Sequence, residues 1–258
     1  MKWLATYFIS FVFILMFSKQ LSCGDFQKGI EAYRRGHNSI ALREWEPLAQ
    51  KGHASAQYNL GVLYDKGHGV PRNKLTAIKW YKRAAKQGVT MAQYNLGIIY
   101  EKGIGVKQDL KVAVEWYTIA AQSGNANAQN NLAVMYMRGL GVPQNYKSVA
   151  KWLTLAAKQG KASAQFNLGA MFDKGIGIPQ NKKAAIKWYK SAAEQGVAIA
   201  QFNLGLMYKR GQGTPKSFPR AHMWWSIAAK KGYKEATINK SEIENIMTPS
   251  QLEKAQTL

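Results

Sequence analysis

The chain is expected to fold as an all-α, right-handed α/α solenoid of stacked helix-turn-helix repeats. Three observations lead there. First, the segment AQYNLGVLY (Ala56–Tyr64) returns as AQYNLGIIY (Ala92–Tyr100), AQNNLAVMY (Ala128–Tyr136), AQFNLGAMF (Ala164–Phe172) and AQFNLGLMY (Ala200–Tyr208), a unit of 36 residues in five copies. Second, Trp80, Trp116, Trp152, Trp188 and Trp224 fall in the same register, each followed by an alanine pair such as Ala84–Ala85. Third, glycine works as punctuation. Each unit closes on Gly88, Gly124, Gly160, Gly196 or Gly232, and a G-x-G such as Gly67/Gly69 separates its halves. A fixed period in the thirties marks a stack of helical units, and such stacks mostly bind other proteins.

Residues 1–24 are expected to be a signal peptide and residues 25–52 an N-terminal capping helix pair built from a degenerate repeat. The repeats proper run over 53–88, 89–124, 125–160, 161–196 and 197–232, with capping helices over 233–258.

Within one unit, the first helix carries Ala56, Leu60 and Tyr64 at helical spacing. Gly61 lies on the same stripe, although glycine inside a helix costs about 1 kcal/mol against alanine. Its return in four of five copies, with Ala133 in the other, implies a neighbour too close for a side chain. Gly67 supplies the left-handed residue that ends the helix. The second helix begins after Asn73, Asp109, Asn145, Asn181 or Ser217, each able to accept a hydrogen bond from a free backbone N–H. Trp80, Ala84 and Ala85 are expected to form its buried stripe. One such pair cannot hide both stripes, so neighbours must stack, and truncating Leu132 to Ala should cost about 2–5 kcal/mol.

At the ends, Phe26, Ile30 and Tyr33 fit one short helix and Leu42, Trp45 and Leu48 a second. Residues 234–247 read as a further helix. Thr248-Pro249 then supplies an N-cap and a proline at the first helical position.

The string A-x-A-Q-x-N-L-G-x-x-Y-x-x-G-x-G-V-P, followed by W-Y and A-A-x-x-G, resembles the Sel1-like repeat family, a relative of the tetratricopeptide repeats, over about residues 53–232. The ending MTPSQLEKAQ (Met247–Gln256) is similar to the tail of bacterial secreted members. The resemblance implies an α-solenoid with an adaptor role, and a concave side lined by the first helix of each pair. Some cysteine-rich relatives carry a β-lactamase or penicillin-binding label. Those rely on a cysteine pair in each repeat, and this chain has one cysteine in all.

The N-terminus has the form of an export signal. Lys2 precedes an apolar run from Trp3 to Phe17, then Ser18-Lys19-Gln20. The run is short for a membrane span. Ser22-Cys23-Gly24 places small residues for cleavage before Asp25. Retention as an uncut anchor and lipidation at Cys23 are the rival readings; a lipobox wants Leu where Gln20 stands. The expected location is periplasmic or secreted. A lone Cys23 excludes a disulfide framework.

Formal charge is +22. The basic residues gather on the second helices: Lys79, Lys82, Arg83 and Lys86; Lys147, Lys151 and Lys158; Lys182, Lys183, Lys187 and Lys190. They form either a solvated outer face or a stripe that steers toward an anionic partner, such as an acidic protein, a phospholipid surface or lipopolysaccharide. Nucleic acid is not an expected partner, since no helix-turn-helix, zinc-finger or RNA-binding motif accompanies the charge.

The candidate partner-binding residues are Asn59, Asn95, Asn131, Asn167 and Asn203, with the aromatic neighbours Tyr58, Tyr94, Phe166 and Phe202. Asn59 lies about 100° around the helix from Leu60, so its row would follow the groove. An amide both donates and accepts, and a row of amides can pair with a peptide backbone of any sequence. Variable aromatics beside it would add local specificity. The same constancy fits a scaffold role, with Asn bridging adjacent helices. The row of Gln57, Gln93, Gln129, Gln165 and Gln201 poses the same choice.

No catalytic constellation emerges. His37, His53, His68 and His222 show no metal-ligand spacing. The G-x-G turns follow a helix and lack the G-K-[ST] ending of a phosphate cradle. Ser148-Val-Ala-Lys151 forms an S-x-x-K without a K-T-G, and Ser148 aligns with Thr76, Val112 and Ala184. No cofactor, metal or small-molecule substrate is expected. The chain reads as a non-enzymatic interaction scaffold, with a cell-wall-directed or β-lactam-hydrolysing enzyme and adhesion to anionic surfaces as the alternatives.

Overall fold

A computed structural model of the chain describes residues 24–258; the expected signal peptide, apart from Gly24, lies outside the described residues. Among these the chain is all helix and turn. Helices α1 (Phe26–Arg34) and α2 (Asn38–Gln50) form the N-terminal pair. Five pairs of thirteen-residue helices follow: α3 (Ala54–Lys66) with α4 (Lys74–Lys86), α5 (Thr90–Lys102) with α6 (Leu110–Gln122), α7 (Ala126–Arg138) with α8 (Tyr146–Lys158), α9 (Ala162–Lys174) with α10 (Lys182–Glu194), and α11 (Ala198–Arg210) with α12 (Phe218–Lys230). Helices α13 (Lys234–Glu244) and α14 (Pro249–Gln256) close the chain. The chain divides into two compact units, up to Ala120 and from Ala121.

The local chemistry of each pair accounts for its ends. The first helix stops at a left-handed glycine, Gly67 with φ +74° in the first unit and Gly175 with φ +70° in the second. Its last carbonyls, which no helical N–H can reach, are taken up by the loop that follows. Gln108 Nε2 donates to the Glu101 carbonyl at 2.7 Å and Gln180 Nε2 to the Asp173 carbonyl at 2.8 Å. Ion pairs Lys74–Asp65 and Lys182–Asp173, the latter at 2.7 Å, pin two of these turns. The second helix then opens on a side-chain cap. Asn73, Asn145 and Asn181 each accept from a backbone N–H three residues on, at 2.9 to 3.0 Å. Asp109 accepts from Val112 N at 3.1 Å and Ser217 from Arg220 N at 3.4 Å.

The cores refine the expected stripes. In α4 the fully buried face is Ala77, Ile78, Tyr81, Ala84 and Ala85, and Trp80 sits at its edge, half-buried. Trp116 and Trp188 are also only half-buried, while Trp152 and Trp224 are buried, so the tryptophan row lies beside the centre of the stripe and enters the core in two repeats. The central position belongs to the next residue: Tyr81, Tyr117, Leu153, Tyr189 and Trp225. Likewise Leu63 is buried where Tyr64 is peripheral.

The glycine on the first-helix stripe is explained by this ring. A Cβ on Gly61 would lie 2.5 Å from Tyr81 Cδ1, and one on Gly97 2.4 Å from Tyr117 Cδ1. Gly169 and Gly205 stand in the same relation to Tyr189 and Trp225. In each case the ring is twenty residues on, and in the remaining repeat both partners change together, to Ala133 and Leu153.

The last expected helix, 234–247, ends at Glu244. Thr248 precedes a proline, which disfavours helical backbone, and it is extended at ψ 159°. Ile243 and Met247 still reach the core that Ala221, Trp225 and Ala228 form beneath the cap.

Candidate functional site

The glutamine row is buried, with Gln57 5% exposed and Gln201 2%. Each side-chain amide donates to the carbonyl eight residues earlier, at the end of the preceding second helix. Gln57 reaches Ala49 at 3.0 Å, Gln93 reaches Ala85 at 3.1 Å, and Gln129 reaches Ala121 at 3.0 Å. Gln165 and Gln201 do the same to Ala157 and Ala193. The row is a clamp between successive repeats. Its oxygens are met in turn where the residue thirty further on is glutamine: Gln87 donates to Gln57 Oε1 at 2.7 Å, Gln159 to Gln129 at 2.8 Å and Gln195 to Gln165 at 2.7 Å.

In the last repeat that position is Lys231, whose Nζ donates instead to the Gly196 carbonyl at 2.7 Å, and Gln201 Oε1 is left buried without a partner. Replacing Lys231 by Gln exchanges an exposed bond to Gly196 for one to a buried acceptor, and should therefore raise stability by about 0.5–1.5 kcal/mol, because a buried unpartnered acceptor costs more than an exposed one. Urea unfolding of the two proteins side by side checks it; no gain would mean that Gln201 is not short of a donor.

The asparagine row divides. In the first unit, Asn95 stands beside the hydroxyls of Tyr58 and Tyr81 as a polar neighbour that favours their ionised form. In the second, Asn203 stands in the same relation to Tyr189. Burial above all pushes these three phenols up from their ordinary pKa, so they stay neutral. In each case the tyrosine fourteen residues earlier supplies a hydroxyl. For Asn59 that residue is Trp45 and for Asn167 it is Leu153, neither of which has one. Asn59 and Asn167 are half-buried and make no side-chain hydrogen bond among the described residues. Asn131 is also half-buried and has a partner of its own.

The aromatic neighbours are paired as well. Tyr58 packs on Tyr81 with ring centroids 5.8 Å apart, Tyr94 on Tyr117 at 5.9 Å, Phe166 on Tyr189 at 5.8 Å and Phe202 on Trp225 at 6.4 Å. In the third repeat the pair is replaced by Asn130 and Leu153, and Asn130 Oδ1 accepts from Ser163 Oγ at 3.2 Å. In the first unit, Tyr58, Tyr81 and Asn95 come together with Asp65 and Lys74 in a cleft of about 320 Å³. Val62, Ile98 and Ile104 add its apolar part. That mixture of apolar wall and polar groups can receive a side chain.

On the second helices the basic residues lie over the tryptophan flank. Arg83 stands 4.6 Å from the Trp80 ring, Lys151 4.8 Å from Trp152 and Lys187 6.0 Å from Trp188. Among the described residues no three His, Cys, Asp or Glu side chains gather in a way that could hold a metal ion, and no helix is long and apolar enough to cross a membrane.

The residues that sequence reading missed are the buried side chain after each tryptophan, a ring in four repeats and Leu153 in the third, and, at the C-terminal cap, His222. Both were visible as departures in register. Gly61 and Tyr81 change together in the third repeat, and His222 replaces Ile78, Val114, Ala150 and Ile186 of the other repeats.

Stacked helix pairs joined by side-chain clamps define a tetratricopeptide-like repeat protein. The Sel1 repeat family matches at residues 54–89, 90–125, 126–161, 162–197 and 198–233, and the chain belongs to that family. The matched units begin one residue after the boundaries expected from the sequence. A protective antigen of uropathogenic Escherichia coli strains with an SLR fold is similar at 29% identity and a TM-score of 0.83, over 93% of this chain and 54% of that one. This chain thus spans about half the length of that antigen. A Sel1 repeat protein from Oxalobacter formigenes is 34% identical with a TM-score of 0.76, over 80% of this chain and 85% of that one. No protein of curated function matches it in sequence.

Proposed function

We propose that the chain is an exported, non-enzymatic scaffold that holds a protein or peptide partner along the first-helix face of its repeats. The observation that carries this reading is the pair of half-buried amides, Asn59 and Asn167, that the fold leaves without a side-chain partner in a row where Asn95 and Asn203 face tyrosine hydroxyls. A buried or half-buried amide keeps its donor and acceptor for a ligand only where no internal partner competes. The aromatic pairs and the cleft at Asn95 provide the apolar contacts beside it. Export rests on the leader-like residues 1–24.

The partner is first identified by crosslinking in the native cell and then measured with purified components. Asn59→Ala with Asn167→Ala should leave melting unchanged and weaken binding at least tenfold. Asn95→Ala with Asn203→Ala should lower melting, because the polar neighbours of the buried Tyr58, Tyr81 and Tyr189 hydroxyls are lost. Unchanged affinity in the first double variant would refute the groove. Turnover of β-lactams or cell-wall fragments by the purified chain would refute the non-enzymatic part.

Adhesion to an anionic surface is a second reading. It is favoured by the cations held over Trp80, Trp152 and Trp188, contacts worth about 0.5–1 kcal/mol each at exposed sites, which fix the charges in place. Binding to anionic vesicles that disappears as salt rises distinguishes it from partner capture by the amide row.

A further inference from the structure

The C-terminal cap of the second unit contains a cleft of about 800 Å³ that the repeat scheme does not explain. Its walls come from α12, α13 and α14. Met223, Ile227 and Ala255 form the apolar part, and Lys230 and Lys240 stand at the rim. His222 lines it too, although it is only 8% exposed. All four other repeats have an apolar residue in this register, so the imidazole is a feature of the cap alone.

His222 is fixed from one side. Its Nε2 lies 2.6 Å from Glu244 Oε1. That hydrogen bond, aided by Lys240 Nζ at 3.2 Å, holds the Glu244 carboxyl below its usual range, so an ionised carboxylate accepts and Nε2–H donates. The other ring nitrogen, Nδ1, therefore faces away from the ion pair. It is buried and has no partner among the described residues, and the same is true of Ser226 Oγ one turn further along α12. A buried polar group without a partner is unfavourable. Here two of them stand on one face of one helix, in two residues that line the same open cleft.

We propose that this cleft is a binding site for a carboxylate carried on a short apolar chain. The carboxylate accepts from Ser226 Oγ–H and from Nδ1–H of the doubly protonated His222 ring, which is then held between two carboxylates. Lys230 and Lys240 supply the positive surroundings, and the chain of the ligand lies on Met223 and Ile227. Two sources have this chemistry, a free medium-chain acid and the C-terminal carboxylate of a peptide ending in an apolar residue. The site is separate from the amide row and does not depend on it.

The four histidines of the full chain give a direct readout through their imidazole Cε1–H signals, with that of His222 assigned from His222→Gln. Octanoate should shift the His222 signal saturably while leaving the other three unchanged. Octylammonium, with the same chain and the opposite charge, should not. A peptide ending in a free Leu carboxylate, compared with its amide, shows which source binds more tightly. Ser226→Ala should weaken octanoate by about tenfold, the worth of one hydrogen bond to a charged group. Because Ser226 Oγ has no internal partner, that variant should melt no lower than the parent, which separates loss of binding from loss of fold. A His222 signal that neither probe moves, equal shifts with octylammonium, or undiminished binding in Ser226→Ala would each overturn the proposal.

Discussion

Replacing Trp225 by Ala is expected to cost about 3–5 kcal/mol, the range for deleting a large buried aromatic side chain. The ring is fully buried and packs with Phe202 at 6.4 Å. Its indole N–H donates to the Phe202 carbonyl at 3.0 Å. It also belongs to the core that Ala221, Ala228, Ala236, Ile243 and Met247 make under the cap. Truncation leaves a cavity opposite Gly205, which has no side chain to fill it, and removes the indole hydrogen bond as well. Trp225→Phe keeps most of the apolar area and loses the hydrogen bond, so it should cost distinctly less. A repeat protein is stabilised by each unit and its neighbour, so the damage should stay local. Hydrogen exchange should speed up first in α12, α13 and α14, while α7 and α8 keep their protection. Uniform acceleration throughout the second unit would show that the cap is not energetically separable from the repeats above it.

Much of this was legible in the chain because local rules and the repeat agree. Left-handed glycines, Asn caps and a thirty-six-residue register each mark the same boundaries. The choice between two adjacent aromatics was not legible. In W-Y, size favours tryptophan for the core, yet the buried face runs through Ala77, Ile78, Tyr81, Ala84 and Ala85, and Trp80 falls one position off its axis. Periodicity alone cannot place a stripe to better than one residue when both candidates are large. The glutamine row was undecidable for a different reason. Its partner is a main-chain carbonyl eight residues back, and backbone acceptors carry no sequence signal. The asparagine row looked uniform, but its members differ because the residue fourteen positions earlier does or does not bear a hydroxyl. That contrast could have been read from Leu153 and Trp45 had the pairing been known. His222 shows no metal-ligand spacing, and its setting depends on Glu244, twenty-two residues away.

The pairing of a helix glycine with a buried ring leads to a second large effect. Gly169→Ala should destabilise by about 1–3 kcal/mol, the usual range for overpacking. Helix propensity alone predicts the opposite, a gain of about 1 kcal/mol. The steric term should win because the new Cβ would lie 2.7 Å from Tyr189 Cδ1 and 3.0 Å from Cε1, and the ring is buried among Ala185, Ala192 and Leu204 with no room to turn aside. The third repeat already contains the remedy, Ala133 with Leu153. Gly169→Ala combined with Tyr189→Leu should therefore lose less than the sum of the single variants, by about 1 kcal/mol or more, as contacting residues do in a double-mutant cycle. Strict additivity would mean that ring and glycine are not coupled. The same double variant removes the hydroxyl beside Asn203, which then has the surroundings of Asn167. If free amides recognise the partner, affinity should rise while stability partly recovers, and the two measurements together separate packing from recognition on one pair of residues.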